Sequence, residues 1–261
     1  LKATQLNNML DTQVGALTGD QLTAFAAPQL AALNATFVSE ISTDAISKLT
    51  ATQFKSLTPD ALTGLTAAQV GALDTSVFGV MTKAQAEVLT GEQVAGITAE
   101  QVALIKPDAL KGFTTEDQLS QLNVDGLGKA QMASLTGDQL SLMGADQVAN
   151  LSADQIAAIS TSAIVKMTAD EVAALKTGDN SSVNQMAALT TAQISAIAGA
   201  TAQNAAWLGA LSETQISAMD GKDLAALGKN GLNLLSAEQF VAMSGDQVKA
   251  LSTTQINGLS D

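Results

Sequence analysis

The chain has no cysteine, histidine, tyrosine or arginine among its 261 residues, and only 3% of it is aromatic. Each absence excludes a class of chemistry. Without cysteine there is neither a disulfide nor a thiolate metal site. Without histidine, cysteine and tyrosine the usual nucleophiles and general acid–base groups are missing, and carboxylates and lysines are the only ionisable side chains left. Without arginine the common reader of base edges and phosphates is gone, and 25 acidic residues against 12 lysines give a formal charge of −13 that repels a phosphate backbone. Nucleic acid is therefore excluded as a partner. No apolar run is long enough to cross a bilayer, so no membrane span is expected in this segment. No signal peptide is visible, and the chain opens at Leu1 in mid-phrase, which suggests a segment of a longer array.

What is present is one phrase. From Leu135 to Ile159 the sequence reads L-TGDQLSLM-GADQVANL-SADQIAAI, three copies of an octad laid end to end, and the phrase returns as SAEQFVAM, SGDQVKAL and STTQINGL from Ser236 to Leu259. Position 1 is Ser or Thr, position 3 is often acidic, position 4 is Gln, and positions 5 and 8 are aliphatic. Ser/Thr followed three residues later by Gln is a capping box, with the hydroxyl accepting from the third helical N–H while Gln reaches back. Thr136 with Gln139 is one such pair, and Leu135 with Leu140 supplies the hydrophobic staple. Each octad thus encodes the start of one helix.

Prolines and glycines test this register independently. Pro59 and Pro107 sit at position 2, the first helical residue, and Pro28 at position 3, still in the first turn, where a missing N–H costs nothing. Gly19, Gly91, Gly137 and Gly245 hold position 2, and Gly64, Gly96, Gly112 and Gly258 hold position 7. Acids at position 3, such as Asp20, Asp60, Glu92, Glu100, Asp138 and Asp154, suit the positive end of a helix dipole, and lysines such as Lys48, Lys55, Lys111, Lys166 and Lys249 fall toward the other end. One continuous helix is excluded, because eight residues would rotate the apolar stripe by about 80° per copy. A β-helix is excluded because positions 5 and 8 would face opposite ways.

These observations predict an all-α solenoid of roughly thirty very short helices, each of about five or six residues, occupying 1–261 as a single continuous domain. One octad buries too little to fold alone, so stability must come from stacking on neighbours. Irregular breaks fall near 114–127, 176–181 and 198–211. Position 4 loses its Gln at Ala45, Ala61, Val77 and Ala109, spaced by multiples of sixteen, which hints at two octads per coil, with three as the alternative. Two octads per coil would make a rod on the order of 120 to 150 Å at the usual helix spacing.

Candidate sites are few. Asp179 with Asn180 in KTGDNS, and Asp125 before Gly126, are the nearest approach to a cation loop, and each is read as an ordinary polar turn. Trp207 is expected to anchor an irregular loop in the core, and Met81, Met143, Met167, Met219 and Met243 at position 8 substitute for Leu in the core. The Ser and Thr hydroxyls are committed as caps. No catalytic residue, cofactor or metal site is assigned.

At the residues LTxxQ(V/I)xAL the phrase resembles the helix opening of the TAL-effector repeat, whose far longer period and DNA-reading residue pair have no counterpart here. Closer in period, it resembles the short LTxxQ(V/I)xAL arrays of very large bacterial surface or secreted proteins, often adhesin-like. That resemblance covers nearly the whole chain. It implies an extracellular or cell-surface location and a structural or adhesive role, and it carries no site residues. The expectation is a non-enzymatic stalk, spacer or extracellular filament body whose partners are its own neighbouring repeats, with head-to-tail self-assembly in prospect. The alternative is a solenoid whose surface captures a peptide, glycan or partner protein.

Overall fold

The structure is a computed structural model that describes residues 2–175, 185, 188–190, 192–193, 196–197, 208–209, 211–219 and 221–259. Among the described residues it is all-helical, a succession of α-helices four to seven residues long with one 3-10 turn at Val124–Gly126 and no strand. The all-α solenoid of short helices expected from the octad is borne out.

Most helices that carry both Ser or Thr at position 1 and Gln at position 4 begin with the capping box. Helix Gly91–Ala95 is representative. Thr90 is extended at φ −76° and ψ 162°. Its Oγ1 accepts from the Gln93 N–H at 3.2 Å, and its own N–H donates to Gln93 Oε1 at 2.8 Å. Two of the orphan donors at the helix start are thereby satisfied. The helix ends within the octad because the N–H at position 8 bonds the carbonyl at position 5, as Ile97 does to Val94 at 2.9 Å. Such an i→i+3 closure tightens the last turn, and the next cap residue then leads off in extended conformation. Where position 1 lacks a hydroxyl, half of the box survives: Gln13 still accepts from the Leu10 N–H and Gln29 from the Ala26 N–H. Pro59 and Pro107 each open their helix, and Pro28 is the second residue of helix Ala27–Leu30, in agreement with the register.

The chain packs as two compact units, Leu1–Ser134 and Leu135–Asp261. In the first, helices pack on the helix three further along. Helix Ala67–Ala72 packs between Thr43–Ile46 and Gly91–Ala95, whose first residues stand 24 positions before and after its own (67 − 43 and 91 − 67). Helix Pro59–Leu62 likewise contacts Ala35–Glu40 and Lys83–Glu87. The second unit repeats the pattern, with Ala145–Asn150 against Ala169–Ala174 and Gly221–Ala226 against Gly245–Ala250. One coil is therefore three octads, and each octad turns the chain through a third of a revolution.

This corrects the two-octad coil suggested by the spacing of Ala45, Ala61, Val77 and Ala109. Sixteen is not a multiple of 24, so Ala45, Ala61 and Val77 fall on three different sides of the coil, and only Ala61 and Ala109, two coils apart, share one. They are simply octads in which a small or aliphatic side chain fills the position otherwise taken by Gln, and all four are buried.

Positions 5 and 8 form the core of each unit. Leu135, Leu140 and Met143 are buried, as are Met81, Met167, Met219 and Met243. The acids keep to the first turns, Asp20, Asp60, Glu92 and Glu100 among them. The lysines behave differently from the expectation of dipole pairing. Most stand beyond the short helix, and a basic residue occupies the last turn only at Lys229 and Lys249 among the described helices.

Their place is explained by the glycines. A Cβ on Gly19 would lie 2.4 Å from Lys48 Cγ, and one on Gly137 would lie 2.4 Å from Lys166 Cγ. A Cβ on Gly64 would meet the Ala35 carbonyl oxygen at 2.0 Å, and one on Gly96 the Ala67 oxygen at 2.3 Å. Each pair is 29 residues apart. Position 2 of one octad faces position 7 of the octad one coil later, and a glycine on either side makes room for the other. The lysine stems thus serve as apolar cover, with the ammonium free to reach water.

Candidate functional site

The most elaborate polar arrangement in the molecule is the environment of the position-4 glutamine. Oε1 accepts from the cap N–H three residues earlier, and Nε2 crosses to the preceding coil. In Gln93 the amide donates to the carbonyls of Leu62 at 2.9 Å and Leu65 at 2.6 Å. In Gln69 it donates to Val38 at 3.0 Å and Ile41 at 2.6 Å, and in Gln101 to Leu73 at 2.8 Å. The acceptors lie 31 and 28 residues earlier, at positions 5 and 8 of the octad just below the corner where the stacked helix starts. The position-8 carbonyl is one that the short helix leaves over, and the position-5 carbonyl, already bonded to the position-8 N–H, takes the amide as a second donor. With the side chain nearly sealed from solvent, both ends of the amide and the backbone N–H are satisfied at once.

The same offsets record the irregularities near 114–127 and 176–181. Gln118 reaches Leu89 and Ala86, 29 and 32 residues back, one more than usual, because Thr114 is an extra residue ahead of the Thr115 cap. Gln131 reaches Ile105 and Val102, 26 and 29 back, two fewer than usual, since the five-residue copy 123–127, closed by the 3-10 turn, removes three residues and Thr114 adds one. Gln185 and Gln193 reach acceptors 34 and 37 residues back, six more than usual, matching the six residues of 176–181. The amide bonds hold across these irregularities, but after the stretch 198–211 Gln215 keeps only its cap half, accepting from the Ser212 N–H at 2.8 Å, and its buried Nε2 has no partner.

Sequence reasoning finds the capping half of this arrangement and misses the inter-coil half. The signal was nonetheless there. A capping box accepts Glu as readily as Gln, yet Glu holds position 4 only once, at Glu171. A carboxylate has no donor for a carbonyl, and an amide does. Further ties between coils come from Asn7, whose Nδ2 donates to Ala32 O at 2.7 Å while its Oδ1 accepts from Asn34 N at 3.2 Å.

No reactive group enters this network. The hydroxyls of Thr66, Thr82, Thr90 and Thr98 accept from backbone N–H groups of their own helices. Asp74 acts as a cap in the same way, and the Ser76 hydroxyl and N–H hold its carboxyl below the usual range. Asp125 lies exposed in the 3-10 turn. Among the described residues no group of acids is placed to hold a metal ion, and no helix is long and apolar enough to cross a membrane. Asp179, Asn180 and Trp207 lie outside the described residues.

The final coil presents a different surface. Position 5, buried elsewhere, is 38% exposed at Val248 and 47% at Ile256, and Val241 is 84% exposed. Leu232, Leu235, Phe240 and Val241, together with Asn233 and Ser236, line an open groove of mixed polarity there. The first coil shows the complementary feature, with Gln5, Gln13 and Gln21 exposed.

No curated protein matches the chain. Residues 216–261, which carry the amides of Gln239, Gln247 and Gln255, match the model of the ALTTAQ repeat, so this segment is shared with a repeat family.

Proposed function

We propose that the chain is a non-enzymatic structural array, a stalk, spacer or filament body within a large bacterial cell-surface or secreted protein, which sets distance or presents other domains. One observation carries the reading: the repeated polar group, the position-4 amide, is spent on holding coil to coil, and among the described residues no group of acids is gathered for chemistry. The absence of histidine, cysteine and tyrosine supports it. The acidic surface suits an exposed element kept soluble by mutual repulsion.

Small-angle scattering tests it. The expected particle is elongated, with a largest dimension on the order of 100 Å for some ten coils at helix-packing spacing; a compact globule overturns the proposal. A second mode of action is head-to-tail assembly with further coils of the same phrase, since coils stack through like positions. Electron microscopy at two concentrations distinguishes monomer from filament. The alternative, capture of a peptide or glycan, predicts saturable binding on a glycan or peptide array.

A further inference from the structure

Glu171 occupies the place of the glutamine in the octad Thr168–Leu175, 1% exposed. Its capping role is intact: Oε2 accepts from Thr168 N–H at 2.6 Å, and its own N–H donates to Thr168 Oγ1 at 3.2 Å. The crossing role is not. By the regular offsets of 31 and 28 residues, a glutamine here would donate to the carbonyls of Leu140 and Met143. Glu171 Oε1 instead has no hydrogen-bond partner.

The coil beneath is altered in step. Helix Gly137–Met143 runs seven residues, through position 8, where regular octads such as Ala153–Ala158 have already turned extended at Ile159. Gly144 then takes position 1 with φ +81°, in place of a hydroxyl residue, a conformation open to glycine. Its N–H is turned toward the Glu171 carboxyl. The peptide joining Met143 and Gly144 thus offers a donor where others offer an acceptor. Two departures from the phrase, 27 residues apart, meet at one point.

We propose that Glu171 and Gly144 form a proton-sensitive joint between the coils they belong to. Protonated, the carboxyl O–H stands in for the amide N–H and donates to the Leu140 carbonyl, the one regular acceptor that the turned Met143–Gly144 peptide does not replace; ionised, Oε1 is an uncompensated oxygen in a closed interior and the two coils part more readily. Burial raises the Glu171 carboxyl above its ordinary value, the Thr168 N–H and hydroxyl and the Gly144 N–H offset part of that, and Asp170 beside it adds to it. Other charged groups on the helices around it, Asp138, Asp146 and Lys166, are exposed and do not act on it. The sign follows. A carboxyl whose folded value is raised binds its proton more tightly folded than unfolded, so stability is full below the unfolded value near 4.5 and is lost as pH rises through the raised one.

Hydrogen exchange resolved to the helices Gly137–Met143, Ala145–Asn150 and Ala169–Ala174 tests this. It is followed from about pH 4 to about pH 8, corrected for intrinsic rates, in the wild type and in Glu171→Gln. The wild type should lose protection in these helices with rising pH, by up to about tenfold per pH unit inside the window. Glu171→Gln should hold its protection constant. Gln in place of Glu here faces an N–H from Gly144, so the double variant Glu171→Gln/Gly144→Ser, which restores both members of a regular pair, serves as the second comparison. Superimposable pH profiles for the wild type and both variants overturn the proposal; a gap that widens with pH upholds it.

Discussion

A single amide explains why this chain uses glutamine so insistently. Gln93 makes three kinds of bond, and replacing it separates them. Gln93→Glu keeps the bond to Thr90 N–H and removes both bonds to Leu62 and Leu65, leaving a carboxylate against two carbonyl oxygens. The expected loss is about 3 kcal/mol or more, since each buried polar group left unpaired costs roughly 1 to 3 kcal/mol. Thr90→Ala removes only the cap acceptor and should cost about 1 kcal/mol. Urea denaturation of the two variants checks the order; equal losses would mean that the crossing bonds contribute nothing. The glycines give a sharper contrast. A methyl group on Gly96 would strike the Ala67 backbone oxygen, which cannot swing aside, so Gly96→Ala should destabilise by about 1 to 3 kcal/mol. Gly245 has open space around its Cβ direction, and Gly245→Ala should be neutral or stabilising by up to about 1 kcal/mol. Both are read from the shift in denaturation midpoint.

At the level of the helix, no element here could persist alone. Four to seven residues are far below the length at which a helix forms in water, so each is held by its caps and by the coils above and below. Phe78 is fully buried at position 5 of its octad, and its truncation to Ala should cost about 3 to 5 kcal/mol. Exchange protection should fall in the neighbours Ala51–Phe54 and Ala99–Val102, which pack on that helix, more than in the sequence-adjacent Ala67–Ala72. The opposite order would argue against a 24-residue coil. Helix starts, caps, proline placement and core positions were all legible in the sequence because they depend on residues within one octad, as Thr90 and Gln93 do. The number of octads per coil was not, because Gln93 meets Leu62 and Gly96 meets Ala67 only after the chain has come round. The pairing of Gly19 with Lys48 and of Gly137 with Lys166 was visible as letters 29 apart, but nothing within an octad says which letters will face each other.

For the molecule as a whole, the offsets of the glutamine bonds set what can be inserted or removed. Deleting one complete octad, residues 66–73, brings like positions back into the same relation, and the amides find carbonyls 28 and 31 residues earlier as before. Deleting only residues 66–69 leaves Val70–Leu73, a remnant like the short copy 123–127 across which Gln131 still reaches Val102 and Ile105, but it removes the cap of Thr66 and the bonds of Gln69 to Val38 and Ile41. Circular dichroism with thermal melting should find the eight-residue deletion near the wild type and the four-residue deletion folded but melting lower. Stability shared between neighbours also implies that the urea dependence of unfolding grows with the number of coils.

The crossing bonds have a direction. Every described Nε2 bond between coils runs from a glutamine to carbonyls earlier in the chain. A polypeptide that emerges N-terminus first, from a ribosome or through a secretion pore, therefore always has its acceptors outside before the matching donor arrives. Each new octad has a seat prepared for it, and growth by addition at the trailing edge needs no rearrangement of what has already been laid down.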